Sequence, residues 1–65
     1  MTSRTYYIPF NAEAKVVINA IAHKVPCFIS VPEVSRRINM VKFSVNCRQE
    51  DVVAVERVLI RYGFL

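Results

Sequence analysis

Apolar and polar positions alternate most clearly in the last third of the chain. Val41, Phe43 and Val45 fall on one side of an extended backbone, and Ile38, Met40, Lys42 and Ser44 on the other. That two-residue period predicts a strand over about Ile38 to Asn46. Directly after it the period changes. Val52, Val55, Leu59 and Tyr62 recur at spacings of three and four with Val58 beside them, which predicts a helix from Arg48 to Tyr62. Gly63 stands just past its end, where a left-handed cap is easy for glycine. Asn46, with Gln49 three residues on, offers a weak capping box at its start. Glu50 and Asp51 near the first turn and Arg57 and Arg61 toward the last suit the helix dipole.

The same reading applies upstream. Arg4 to Phe10 is a strand in which Tyr6, Ile8 and Phe10 alternate with Thr5, Tyr7 and Pro9. Pro9 cannot donate to a ladder, so the strand lies at an edge or leaves the sheet there. Asn11 caps a helix from about Ala12 to Lys24, with Ala14, Val17, Ile18 and Ile21 as its core stripe and Lys15, Asn19 and His23 toward solvent. Pro26 stops it. Cys27 to Val31 is a second strand, with Cys27, Ile29 and Val31 on one face and Phe28 and Ser30 on the other. Pro32 to Arg37 is a link short enough to make the second and third strands an antiparallel hairpin.

The order is β-α-β-β-α. Right-handed crossovers put both helices on one face of a three-stranded antiparallel sheet. The predicted fold is therefore a small α+β sandwich of the split-βαβ, incomplete ferredoxin-like kind, a single domain over residues 1–65. Phe64 and Leu65 are all that remains to start a fourth strand.

This plan leaves apolar residues without cover. The face of the sheet away from the helices is expected to carry Tyr7, Phe28, Ile38 and Met40 among polar residues. Val53 and Ile60 share a stripe on the last helix roughly opposite its core face. Of the 65 residues, 54% are hydrophobic and 22% charged, an excess that so small a core does not hide. A two-fold homodimer is the expected remedy, burying Tyr7, Phe28, Ile38 and Met40. Val53 and Ile60, with Arg57 and Arg61 near them, then face a partner protein.

The net charge of +4 favours an anionic partner without naming one. The start Met1-Thr2-Ser3-Arg4 lacks the apolar core of a signal peptide, and no apolar run is long enough to span a membrane. Two cysteines are fewer than a small secreted scaffold uses. A reduced, cytoplasmic chain with no membrane association is expected, with Cys27 and Cys47 as small hydrophobes.

Candidate chemistry is sparse. Glu13, Glu33, Glu50, Asp51 and Glu56 fall on helix starts, loops or helix surfaces, and no two are expected to converge as an acid–base pair. His23 lies on a polar helix face, and Cys27 has an apolar setting with no base next to it in sequence. Two cysteines and one histidine at these spacings do not make a metal site. No catalytic, cofactor or metal site is expected. RNA-recognition modules share this strand order and stack bases on aromatics of the first and third strands. Tyr7 suits that role, but Met40 and Lys42 stand where third-strand aromatics belong. The basic set for nucleic acid is Arg36, Arg37, Lys42, Arg57 and Arg61. The favoured reading is a small non-catalytic protein-binding module, a dimeric regulator or inhibitor of the kind that phages and mobile elements encode. A nucleic-acid-binding protein is the alternative.

Overall fold

The computed structural model describes Met1–Leu65. Two eight-residue strands, β1 (Thr2–Pro9) and β4 (Met40–Cys47), pair antiparallel over their whole length, from Thr2 opposite Cys47 to Pro9 opposite Met40. Because side chains alternate, Tyr6 and Ile8 share one sheet face with Val41, Phe43, Val45 and Cys47, and all six are buried. Tyr6 stands opposite Phe43, their rings tilted by 39° with centroids 5.9 Å apart. Both helices pack on this face, which makes the fold the α+β split-βαβ sandwich read from the periods.

The other flank of β4 is held by two short strands, β2 (Phe28–Ile29) and β3 (Glu33–Ser35). Ile29 stands opposite Val45 and Glu33 opposite Lys42, so the edge has three intervening residues where β4 has two. That extra residue is a bulge. Ser30 spans it: its N–H donates to the Ser44 carbonyl at 2.9 Å and its Oγ accepts the Ser44 N–H at 2.8 Å. Pro32 follows with no N–H to donate. The bulge corrects the simple alternation expected for residues 27–31. Val31, expected to face the core, is 85% exposed, and Val34 takes the place opposite Val41.

β3 lies inside the stretch Pro32 to Arg37 expected to be only a link, so the sheet has four strands where three were expected, and the tight hairpin is β3–β4 with its turn at Arg36–Asn39. Asn39 closes it in the left-handed region at φ 56°, which asparagine tolerates better than most residues. Ile38 therefore sits in the turn, not on a strand, and is removed from the open sheet face to which its spacing assigned it.

Helix α1 (Ala12–Lys24) starts on Asn11, whose Oδ1 accepts the Glu13 N–H at 2.9 Å, and it buries Ala14, Val17 and Ile21. A single 3₁₀ turn (Gln49–Asp51) leads into helix α2 (Val52–Arg61). No side chain caps that start, which corrects the expected capping box. Asn46 belongs to β4, and the Gln49 side chain instead accepts a 2.7 Å hydrogen bond from the Thr2 hydroxyl. At the far end Gly63 adopts φ 77°, its N–H meets the Ile60 carbonyl and the Phe64 N–H meets the Leu59 carbonyl, both at 2.9 Å. This pair of bonds is a Schellman cap, and it folds Phe64 back onto the core rather than into a further strand.

Candidate functional site

The outer side of α2 carries every residue expected to meet a partner: Val53, Arg57, Ile60 and Arg61 are all exposed. Tertiary packing divides them. The Tyr6 hydroxyl donates to Glu56 Oε2 at 3.1 Å, so the Glu56 side of α2 lies toward β1. Val53 and Ile60, three residues before and four after Glu56, share that side. Arg57 and Arg61 turn the other way and line a groove between α2 and α1.

The Tyr6–Glu56 contact is part-buried. Burial, then the hydrogen bond to Glu56 and the nearby carboxylate charge, push the Tyr6 phenol up to about 12. The pair is structural in character: the phenol stays a donor at any ordinary pH and fixes the height of α2 above β1.

The groove encloses about 420 Å³. Ala20 and Ala54 keep it open because neither side chain fills the gap between the helices. Lys24, Arg57 and Arg61 line it, and no acidic residue does. Of the nine lysines and arginines only Arg48 is in an ion pair, a 3.6 Å contact with Glu50 at the surface. The three groove cations are thus unpaired. Lys24 was not singled out by pattern reading, because its partners in the groove come from the other end of the chain.

The open sheet face is less uniform than its alternation suggested. Tyr7 stands opposite Lys42, and Phe28 opposite Asn46 at the other end of the sheet. Between them runs a polar row of Thr5, Ser44 and Ser30, with the Thr5 and Ser44 hydroxyls 3.0 Å apart. Met40 is half-buried and Ile38 lies off the sheet. The four side chains proposed to meet in a dimer are therefore not brought together as one patch.

The basic set for nucleic acid is dispersed as well. Lys42 is on the open face with Glu33 opposite on one flank, Arg36 and Arg37 are in the hairpin turn, and Arg57 and Arg61 are on the helix layer behind the sheet. A second groove, of about 460 Å³, is apolar and lies between α1 and the bulged edge, with Phe10, Ile18, Pro32 and Val34 among its walls. Cys47 is buried and Cys27 half-buried, and neither forms a disulfide. Burial, helped by Cys47 and Asp51, raises the Cys27 thiol above its usual range, which keeps it a poor nucleophile at neutral pH. No helix is long and apolar enough to cross a membrane.

Compared with known family models, curated proteins and solved structures, the chain matches none. Its own surfaces carry the functional reading.

Proposed function

We propose that the protein is a non-catalytic protein-binding module that regulates or inhibits another protein by occupying part of its surface. One observation carries this reading: the groove between α1 and α2 is lined by Lys24, Arg57 and Arg61, all without ion-pair partners, around the small apolar side chains of Ala20 and Ala54. Such a groove suits a partner segment that presents carboxylates beside small or flat apolar groups. Arg57 and Arg61 are four residues apart on one helix, where like charges cost about 0.2–0.5 kcal/mol, and an acidic partner relieves that cost. The cations would set the rate and orientation of association, while the apolar floor supplies area that salt does not screen.

A nucleic-acid reading has one observation in its favour. Tyr7 lies directly opposite Lys42 on the open face, so a base stacked on the ring would have a cation next to it. Affinity capture from a lysate of the native host, with and without nuclease, separates the two. The expected result is one protein species recovered after nuclease by the unmodified chain and lost by an Arg57→Glu/Arg61→Glu variant that keeps its circular dichroism. Recovery should persist through moderate salt. Capture that vanishes on nuclease, or retention on DNA that falls steeply with salt as counterions are released, favours the nucleic-acid reading and overturns the first.

A further inference from the structure

The two edges of the sheet are unlike. The β2–β3 edge is interrupted by its bulge and by Pro32, devices that discourage pairing with another chain. β1 carries such a device only at its end, in Pro9: its eight residues run in unbroken register, and nothing pairs with its outer side. The Phe10 N–H donates to the Asn39 carbonyl at 2.9 Å, so by alternation Thr2, Arg4, Tyr6 and Ile8 direct their backbone groups at β4. Ser3, Thr5 and Tyr7 direct theirs outward, where no hydrogen bond reaches them. Pro9 is also an outward position, so its missing N–H costs the β1–β4 ladder nothing.

We propose that β1 pairs with β1 of a second copy, antiparallel about a two-fold axis at Thr5, and that the Val53–Ile60 side of α2 packs on its counterpart across the same axis. The register follows from elimination. Outward groups must meet outward groups, which leaves three symmetric choices that use this edge. Centring on Arg4 sets Arg4 directly opposite Arg4, a like-charge pair. Centring on Tyr6 sets Pro9 opposite Ser3, where a donor is missing. Centring on Thr5 pairs Thr5 with Thr5 and Ser3 with Tyr7, leaves Pro9 beyond the ladder, and forms about six hydrogen bonds, two for each of the three pairs.

That register has two further consequences, both favourable. Arg4 of one copy falls opposite Tyr6 of the other, next to the Glu56 carboxylate that Tyr6 holds at 3.1 Å. Each Arg4 thus gains an acidic neighbour across the axis. Directly opposed residues in a sheet point to the same face, so both helix layers lie on one side of the continuous sheet. Strands are about 4.8 Å apart, so helices seated over each β1–β4 pair have axes about 10 Å apart across the junction, a packing distance. Val53 and Ile60, each 57% exposed in the single chain, lie on the side of α2 that meets the axis. The dimer covers the stripe that α2 leaves bare and keeps the Lys24–Arg57–Arg61 groove free on the far side of each helix, so it stands whether or not that groove binds a protein.

Light scattering at micromolar concentration is expected to return twice the 7.5 kDa chain mass. Hydrogen exchange followed by NMR is expected to show the Ser3, Thr5 and Tyr7 amides protected, although they point away from β4. Ile60→Glu changes an exposed side chain and is expected to keep the circular dichroism of the fold, halve the mass and lose that protection. Arg4→Glu is expected to weaken the dimer by placing an acid beside Glu56. A chain that is monomeric at every concentration overturns the proposal. So does a dimer in which the Ser3, Thr5 and Tyr7 amides exchange freely, or one that Phe28→Glu divides and Ile60→Glu does not.

Discussion

Replacing Leu59 by alanine tests the core most directly. Leu59 is 1% exposed, sits on the inward face of α2 and lends its carbonyl to the Schellman cap through Phe64. The substitution leaves the backbone bond in place and removes three carbons from the centre of the packing. At about 0.8 kcal/mol per buried carbon group the lost transfer energy is about 2.4 kcal/mol. Leu59 belongs to one cluster of 14 buried residues drawn mainly from both long strands and both helices, so relaxation is partial and a cavity term adds to the loss. The total falls at about 3–4 kcal/mol, inside the usual range for a buried leucine. A chain of 65 residues has about 3–10 kcal/mol to lose. Each kcal/mol lowers the melting temperature of so small a domain by about 4–8 °C. Thermal melts followed by circular dichroism at one fixed protein concentration should therefore show Leu59→Ala at least about 12 °C below the parent, or unfolded at room temperature. Val16→Ala, an apolar truncation on the exposed side of α1, should move the midpoint little, within about 0.5 kcal/mol. Equal melting temperatures for the parent and Leu59→Ala would refute the assignment of the inward face.

Two more tests probe local contacts. The folded Tyr6 phenol ionises at about 12 against 10.0 for a free one, so the folded state keeps a proton that the unfolded chain releases between those values. Its contribution to stability is complete below pH 10 and is lost as pH rises toward 12; ultraviolet titration should show one of the three tyrosines ionising last, and Tyr6→Phe should abolish that phase. Asn11→Ala removes the oxygen that accepts the Glu13 N–H at 2.9 Å and should cost about 1 kcal/mol in urea unfolding, with Asn11→Ser recovering most of it; an unchanged midpoint would mean the cap contributes nothing.

The succession β-α-β-β-α, the limits of α1 and the identity of most core residues were legible in the residues alone, whereas β3, inside the expected link, forms only because β4 offers it a pairing edge. Val41, Phe43 and Val45 at a two-residue period, and Val52, Val55 and Leu59 at three and four, are buried as their spacing predicts, because one regular element turns one set of side chains toward whatever covers it. What spacing cannot carry is information about the neighbour. Val31 has the phase of an inward residue, and only the pairing of its strand with β4 inserts the bulge that turns it out. Ile38 continues the alternation of β4, yet the hairpin needs four residues to reverse, and it takes Ile38 as one of them. Gln49 was read as bonding within its own helix start; β1, remote in sequence, offers it Thr2 instead. The same holds for α2. A helical wheel sets Val53, Arg57, Ile60 and Arg61 on one outward arc, and residues of the chain alone decide that much. Which of them look toward β1 and which toward α1 is decided by Tyr6 reaching Glu56 across fifty residues of sequence and by Ala20 and Lys24 lining the other side. An angle around a helix axis is a local property of the chain; what stands at that angle is settled only when the elements pack.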